Sequence, residues 1–231
     1  MDVKINLKPN FAESYCNRGI ALAELMRLDE SISNYEIATN LMPDFSDAYL
    51  NKSLVYLLKG EFKIGWELYE WRWKIEKQRV NLRNFSKPAW LGEEEIGNKT
   101  ILLHAEQGLG DTIQFCRYAS LVKAKGANVV MEVPESLFSL LKNLNGVDRL
   151  VVKGDTLPVF DFHCPLLSLP LAFKTELNTI PSHTPYLTSE EDKLIKWRER
   201  LGEKCKLRRS EEHTSELQSR QYLVCRLLLE K

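Results

Sequence analysis

The stretch NKTILLHAEQGLGDTIQFCRY, residues 98–118, decides the predicted fold. It begins with an apolar run over residues 99–104, turns at Gly108-Leu109-Gly110, and continues from Asp111 with apolar side chains at helical spacing. This succession predicts a strand, a glycine turn and a helix. We expect the glycines to adopt backbone angles that other residues avoid and to let a ligand approach the main chain. Asp111 or Thr112 is predicted to cap the helix, whose free N–H groups favour anions.

The alternation of strands and helices continues downstream. The first helix is predicted over residues 111–125, and another follows Pro134. Further strands are predicted over residues 129–133, 150–152 and 159–162, and a charged helix over residues 189–202. Strands that alternate with helices predict an α/β domain, here over residues 98–208, with a parallel sheet and helices on both faces. A linker over residues 81–97 precedes it.

The N-terminal part of the chain, residues 1–80, repeats itself at intervals of 34 residues and predicts an all-α segment. The matching pairs are Pro9 and Pro43, Tyr15 and Tyr49, Asn17 and Asn51, and Tyr35 and Tyr69. This is the period of the tetratricopeptide repeat (TPR), a pair of packed helices. Full copies are predicted over residues 12–45 and 46–79, with a partial copy over residues 1–11. Gly19 and Ala38 are small enough for close helix packing, and Pro43 ends the second helix.

The second copy departs from the repeat pattern at Gly65, Arg72 and Lys77, where small residues or proline are usual. It is therefore predicted to be a terminal, capping copy. An aromatic cluster follows, formed by Trp66, Tyr69, Trp71 and Trp73. Such a cluster either offers a stacking platform for a sugar or a peptide, or packs as a joint between the repeats and the next domain. Aromatic side chains at helical spacing usually pack, which favours the joint.

Composition excludes several classes of protein. The formal net charge is zero, so a nucleic-acid partner is not expected. The five Cys form no C-x-x-C pair and the four His are scattered, which argues against a structural metal site. Isolated Cys fit a reducing compartment. The sequence shows neither a signal peptide nor an apolar run of about 18 residues, so we expect a cytoplasmic protein without a membrane span.

Three interpretations compete for the glycine turn. A dinucleotide fingerprint needs a third glycine, and Ile113 occupies that position. A P-loop needs a Gly-Lys-Ser/Thr ending, which is absent. The third interpretation is a family resemblance: LLHAEQGLGDTIQFCRY (residues 102–118), KPAW (87–90) and FDFHCPLLSLP (160–170) resemble bacterial TPR-containing glycosyltransferases. These are related to heptosyltransferases and O-linked N-acetylglucosamine transferases, and the resemblance covers residues 10–208.

The resemblance implies a GT-B fold of two Rossmann-like halves with the active site between them. This chain then holds the repeats and the N-terminal half, which helps to bind the acceptor. The nucleotide-sugar donor sits mostly on the C-terminal half, so we expect this chain to bind no cofactor and to be inactive by itself. In heptosyltransferases a Gly-Asp pair after the first strand supplies a proposed base, and the matching residues here are Gly110 and Asp111.

The predicted site follows from that match. Asp111 is the predicted catalytic base, with a helix N-cap as its alternative role. The residues predicted to line the acceptor site are His104, Glu106, Gln107, Gly108, Gly110 and His163. A hydrogen-bonded structural role is the alternative for His104, and His163 is placed at the end of the strand 159–162. No metal is required if helix dipoles and basic side chains neutralise the donor phosphates.

The predicted partners are a protein or glycan acceptor and a protein or peptide held in the groove of the repeats. The alternative function is a non-catalytic scaffold whose repeats grip a peptide. A glycine turn followed by Asp at the edge of a sheet favours the enzyme, because a scaffold does not need it.

The C-terminal tail is set apart from this fold. Residues 209–231, RSEEHTSELQSRQYLVCRLLLEK, resemble the translation of a common short-read sequencing adapter. We expect no native domain there and an interrupted reading frame near Arg208. The incomplete first repeat copy likewise predicts a missing stretch before Met1.

Overall fold

The computed structural model describes residues 11–75 and 83–201. The tail 209–231, Lys77 and residues 1–10 of the partial repeat copy lie outside these ranges, so the predictions made for them are not tested. In chain order the elements are α1 (Ala12–Glu24), α2 (Leu28–Leu41), α3 (Ser46–Lys59), α4 (Phe62–Tyr69), a 3-10 helix (Glu70–Lys74), β1 (Thr100–His104), α5 (Leu109–Phe115), a 3-10 helix (Cys116–Tyr118), α6 (Ala119–Ala124), β2 (Asn128–Val133), α7 (Glu135–Leu141), β3 (Arg149–Val152), β4 (Phe162–Pro165), a 3-10 helix (Leu166–Ser168), α8 (Leu169–Ala172) and α9 (Glu191–Leu201).

The helical part consists of two helix pairs, α1 with α2 and α3 with α4. Helices α1 and α3 begin at Ala12 and Ser46, and helices α2 and α4 begin at Leu28 and Phe62. Both starts therefore recur at the 34-residue interval of the sequence. Helix α2 ends at Leu41, two residues before Pro43, as a residue preceding proline disfavours helical angles.

Small residues set the spacing of the first pair. A Cβ atom on Gly19 would lie 2.7 Å from Cε1 of Tyr35, so α1 and α2 meet at van der Waals distance only with glycine there. The Ser31 hydroxyl donates a hydrogen bond of 2.7 Å to the Gly19 carbonyl oxygen. Tyr35 and Ala38 are fully buried beside this contact. The prediction that small residues allow close packing of these helices is confirmed at Gly19.

The α/β part is built on a four-stranded, fully parallel sheet with the strand order β3-β2-β1-β4. Its first three strands proceed outward in one direction, and β4 returns to the other side of β1. The order of the strands therefore reverses between β1 and β4. The predicted α/β class and parallel sheet are confirmed, and this strand order is consistent with a Rossmann-like half.

The two faces of the sheet are covered differently. The first face carries the main core, in which Ile101, Leu103 and Met131 pack against side chains from α5 to α8. The second face carries Leu102, Val130 and Val151, and it is covered by the loop residues Phe85, Leu157 and Phe160. Within the described ranges no helix packs on this second face. The expectation of helices on both faces is therefore wrong for the described part of the chain.

Two further elements differ from their predicted positions. The fourth strand runs over Phe162–Pro165 rather than residues 159–162, and Val159 is 89% exposed. The apolar residues Val159 and Phe160 precede the strand, and Phe160 covers the second face of the sheet. The predicted helix 111–125 begins earlier, at Leu109, and a 3-10 turn over Cys116–Tyr118 divides it into α5 and α6.

The aromatic cluster joins the two parts of the chain. Trp66 and Tyr69 are buried in the same core as the sheet, and Trp66 meets Phe115 edge to face at 6.0 Å between ring centroids. Trp71 stacks on Tyr49 within the helical part, at 3.8 Å. The packed joint is therefore the arrangement found for Trp66 and Tyr69, as the sequence favours.

The segment before β1 packs on the α/β part. Trp90 is fully buried, and its backbone N–H donates to the His163 carbonyl oxygen at 2.8 Å. Ala89 forms an isolated parallel bridge with His163, beside β4. The part of the predicted linker that is described, residues 83–97, is thus anchored to the sheet. The division of the whole chain into domains stays a prediction.

Gly92 and Gly154 together allow the close contact between Gly92 and α8 to be tested. Gly92 (φ +99°) and Gly154 (φ +106°) both have positive φ, but a Cβ atom on Gly92 would lie 2.1 Å from the Ala172 carbonyl oxygen, whereas none of the described atoms lies within 4 Å of one on Gly154. We expect Gly154→Ala to lower the free energy of unfolding by about 1–2 kcal/mol, the strain of the positive φ. Gly92→Ala should lose roughly 1–3 kcal/mol more because backbone must move. Urea unfolding of both variants measures the difference, and equal losses would contradict the close contact.

Candidate functional site

The candidate site lies at the carboxyl ends of β1 and β4. His104 ends β1 and is level with Pro165, which ends β4. In open α/β sheets ligands bind outside the carboxyl ends of the strands, at the point where the strand order reverses. That point lies between β1 and β4 here. The glycine turn after β1 and the 3-10 helix after β4, Leu166–Ser168, therefore border the candidate crevice.

The glycine turn is exposed and unstrained. Gly108, Leu109 and Gly110 are all exposed, with Leu109 at 48%. Gly108 has φ −67°, and neither glycine is among the described residues with positive φ. The expectation of unusual backbone angles is therefore wrong. Among the described residues no atom lies within 4 Å of a Cβ built on Gly110, so packing within this part of the chain does not require glycine there either.

Asp111 lies in the first turn of α5, behind the glycines. Gly108, and not Asp111 or Thr112, is the N-cap residue, but Asp111 at the third position of the helix caps it through the carboxylate contact of a capping box. Asp111 accepts a hydrogen bond from the Gly108 backbone N–H, at 3.2 Å to Oδ2. The Thr112 hydroxyl donates to the Gly108 carbonyl oxygen at 3.1 Å. Asp111 is partly exposed and adjoins the exposed turn.

Glu106 lies in a buried ion cluster centred on Arg72. The Arg72 Nη2 atom lies 3.0 and 3.3 Å from the two Glu106 carboxylate oxygens and donates to the Ser168 hydroxyl at 2.7 Å. The other terminal nitrogen, Nη1, donates to Glu70 at 2.5 Å. The side chains of Arg72 and Glu106 are each 1% exposed. In this arrangement the Glu106 carboxylate contacts Arg72 and not solvent.

Two carboxylates, Glu70 and Glu106, share one guanidinium in this cluster. Burial raises the pKa of Glu106 to about 7, and the nearby Glu70 carboxylate adds to the increase. The Arg72 charge and the Leu167 backbone N–H oppose it but do not cancel it. The two carboxylates in turn raise the pKa of Arg72, which stays charged. Glu106 therefore changes protonation near neutral pH.

Gln107 is also held by the helical part. Its side-chain Nε2 donates to the Tyr69 hydroxyl at 3.2 Å. The two residues that precede the glycine turn, Glu106 and Gln107, thus both bind side chains from the last turns of the helical part. Reasoning from the sequence did not assign Tyr69, Arg72 or Ser168 to the site. The available signal was Arg72 itself, a large charged residue 34 positions after the fully buried Ala38.

His104 and His163 meet on the second face of the sheet. His104 Nε2 lies 3.3 Å from His163 Nδ1, and the Phe85 ring packs on both imidazoles. Burial lowers the pKa of His104 to about 3, with further contributions from the charges of His163 and Arg83, so His104 is neutral at pH 7. Burial also lowers the pKa of His163. The neighbouring Glu132 pairs with Arg83.

The structure thus separates the seven predicted site residues into three groups. His104 and His163 form a pair, Glu106 and Gln107 are anchored to the helical part, and Gly108, Gly110 and Asp111 border the crevice. His163 is the second residue of β4, level with Leu102, and not the last residue of a strand as predicted. Across residues 11–75 and 83–201 no cluster of three or more His, Cys, Asp or Glu is placed to hold a metal ion. Nor is any helix there long and apolar enough to cross a membrane.

The raised pKa of Glu106 predicts how stability depends on pH. A carboxyl that is harder to ionise in the folded protein stabilises it below the unfolded pKa of about 4.5, and this contribution is lost as pH rises to about 7. Glu106→Gln removes that loss. We expect the unfolding free energy of the variant, relative to the parent chain, to increase by about 1–3 kcal/mol between pH 4.5 and pH 7 and to level off above.

Denaturant unfolding over this pH range measures the effect. Exposed Glu95→Gln removes the same charge at the surface and serves as the matched control. A difference between Glu106→Gln and the parent chain that stays constant with pH would contradict the assignment.

Comparisons with known proteins give one distant relative and no family. No family model matches the chain. Over 163 residues the chain is 24% identical to Protein FlbA of Caulobacter vibrioides. The matched stretch covers 69% of this chain and 24% of FlbA, so the chain spans about a quarter of the length of the curated relative that it matches.

Proposed function

We propose that this chain is the acceptor-binding half of a sugar transferase. The reaction transfers a sugar from a nucleotide-sugar donor to a hydroxyl group of a protein or glycan acceptor. The observation that carries the proposal is the open turn Gly108-Leu109-Gly110, placed where the strand order reverses, with the Asp111 carboxylate directly behind it. This agrees with the resemblance of residues 102–118 to TPR-containing glycosyltransferases.

Gly110 is the strongest element of this argument. A glycine is usually explained by a positive φ or by a neighbour that a Cβ would strike. Neither explanation holds among the described residues for Gly110, which lies in the first turn of α5, where glycine costs helix stability. A ligand that approaches the main chain from solvent supplies the missing reason. The turn is therefore proposed to contact the acceptor.

The Asp111 carboxylate is proposed to act as general base. In the transfer step the acceptor hydroxyl oxygen forms a bond to the anomeric carbon while the bond from that carbon to the donor phosphate breaks. The hydroxyl proton passes to Asp111, and the phosphate oxygen leaves with the electron pair of the broken bond. In the free structure the carboxylate accepts a hydrogen bond from the Gly108 backbone N–H, and Asp111 is partly exposed. Glu106 is the poorer candidate because its carboxylate is buried against Arg72.

The remaining parts of the proposal concern the wider protein. The helix pairs are proposed to be TPR units, which the recurrence of helix starts at 34 residues supports. The α/β part is proposed to be the N-terminal half of a GT-B fold, with the donor site on a second half. On this proposal the chain by itself is expected to show no transferase activity.

A non-catalytic scaffold is the second candidate function. The same helix pairs favour it, since helical repeats commonly grip peptides in a groove. The two functions differ in their demand on the glycine turn. A scaffold that binds through its repeats tolerates a side chain at residue 110, whereas an acceptor site at the turn does not.

Substitutions in the turn test the proposal in the protein encoded by the complete reading frame that contains this chain. Gly110→Ala should leave the melting temperature unchanged or slightly higher, because alanine favours the first turn of α5. The same substitution should reduce sugar transfer at least tenfold by obstructing the acceptor. Asp111→Asn should lower turnover by about two to four orders of magnitude, which is the usual contribution of a general base. Turnover is measured with a panel of nucleotide sugars.

Asp47→Asn is the matched control for Asp111→Asn. Asp47 also lies in the first turn of a helix, α3, so the loss of charge near a helix N-terminus is the same. Parent-like turnover in both Gly110→Ala and Asp111→Asn would sink the enzymatic proposal, and retained peptide binding by the repeats would then favour the scaffold.

A further inference from the structure

One side chain from the helical part holds both loops that border the candidate crevice. Arg72 Nη2 binds Glu106, which follows β1, and Ser168, which follows β4. These are the two strands between which the strand order reverses. Three residues earlier, the Tyr69 hydroxyl accepts a hydrogen bond from Gln107, the residue directly before the glycine turn. The last turns of the helical part therefore contact the base of the turn at two consecutive residues.

We propose that Tyr69 and Arg72 are positioning residues, through which the helical part sets the conformation of the turn formed by residues 107–111. The inference rests on the proposed function for what the turn binds, but the conformational coupling itself does not depend on that function. Neither residue has to touch the acceptor. Each acts through the residue that it holds, Gln107 for Tyr69 and Glu106 for Arg72.

Stability is a poor explanation of the polar contacts at this joint. The joint already buries Phe62 and Trp66 in the core of the sheet, and these apolar side chains stabilise the docking of the two parts. A buried ion cluster adds little net stability, because removing its charges from water offsets their attraction. The cluster differs from apolar packing in that its hydrogen bonds are directional, because the planar guanidinium can bind two or three acceptors only in a fixed geometry. The cluster therefore defines where residues 106 and 168 lie relative to each other.

Glu106 and Gln107, which Arg72 and Tyr69 hold, lie directly before the glycine turn in the sequence. Only Gln107 separates Glu106 from Gly108, and the backbone N–H of Gly108 donates to Asp111. A displacement of Glu106 or Gln107 shifts the peptide plane that carries this N–H. The Asp111 carboxylate would then lose the hydrogen bond that orients it. Loosening the joint should in this way reach the proposed base without any change in α5 itself.

Amide hydrogen exchange in the full chain, followed by NMR, tests the proposal without a substrate. The informative amides are Gly108, which donates to Asp111, and Thr112, which donates to the Gly108 carbonyl oxygen. Tyr69→Phe keeps the buried ring and removes the hydroxyl contact with Gln107. We expect it to speed exchange at both amides by roughly 2- to 10-fold, the equivalent of one lost hydrogen bond. Arg72→Met should give a larger increase.

Tyr118→Phe provides the matched control. Its hydroxyl lies 3.0 Å from the Thr175 hydroxyl, in the same core, and neither of these residues belongs to the turn. The control should leave exchange at Gly108 and Thr112 at the parent rate, as should the β1 and β2 amides in every variant. If Arg72→Met does not fold, Tyr69→Phe decides the question.

The outcomes separate this inference from the proposed function. Parent-like exchange at Gly108 and Thr112 in Tyr69→Phe would overturn the positioning role. Equal acceleration in Tyr69→Phe and Tyr118→Phe would also overturn it, because any buried hydroxyl would then have the same effect. Faster exchange in Tyr69→Phe, combined with parent-like turnover of Gly110→Ala and Asp111→Asn in the complete protein, would support the positioning role while rejecting the proposed function.

Discussion

The arrangement of this protein depends on the contacts that the Arg72 guanidinium makes. It lies between the helical part and the sheet, and it binds carboxylates from both, Glu70 and Glu106. The aromatic rings of Tyr69 and Trp73 lie 4.7 and 4.3 Å from its central carbon. The rings and the carboxylates together offset the free-energy cost of removing the Arg72 charge from water. Because burial, with a smaller contribution from the Glu70 carboxylate, raises the pKa of Glu106 to about 7, the net charge of the cluster changes near neutral pH.

The topology of the sheet gives that interaction its functional position. Because β4 returns to the far side of β1, the strand order reverses between these strands, and ligands bind outside the carboxyl ends of strands at such points. Arg72 binds the loops that follow both strands, at Glu106 and at Ser168. On the second face the neutral His104 meets His163 beneath Phe85, next to the Arg83–Glu132 pair. His104, Glu106 and Glu132 thus each have a side-chain partner at this edge, whereas the turn 108–110 is exposed.

The sequence predicted those features that depend on neighbouring residues. The strand, turn and first helix of residues 98–118 follow from periodicity and glycine placement, and the helix pairs follow from the 34-residue repeat. Features that depend on distant partners were missed. Arg72 looked like a defect in a repeat because its partners, Glu106 and Ser168, are 34 and 96 residues away. The position of β4 was predicted three residues early, because Phe160 is as apolar as a strand residue but belongs to the loop that covers the second face. The angles of Gly108 could not be read from its identity, since glycine permits every region of backbone space.

Adjacent residues in the turn have opposite environments, and this contrast limits what each can do. Glu106, Gln107, Gly108 and Asp111 look equally suited to contact an acceptor when only their order in the chain is known. In the structure the first is buried against Arg72 and the second is bound to Tyr69, whereas the glycines are exposed. A carboxylate with 1% exposure cannot meet a ligand unless the joint opens, but it can fix the backbone that a ligand meets. Residues 106 and 107 are therefore anchored to the helical part, and the proposed site assigns ligand contact to residues 108–111. Residues of the helical part that the sequence does not mark, Tyr69 and Arg72, hold the residues directly before the glycines.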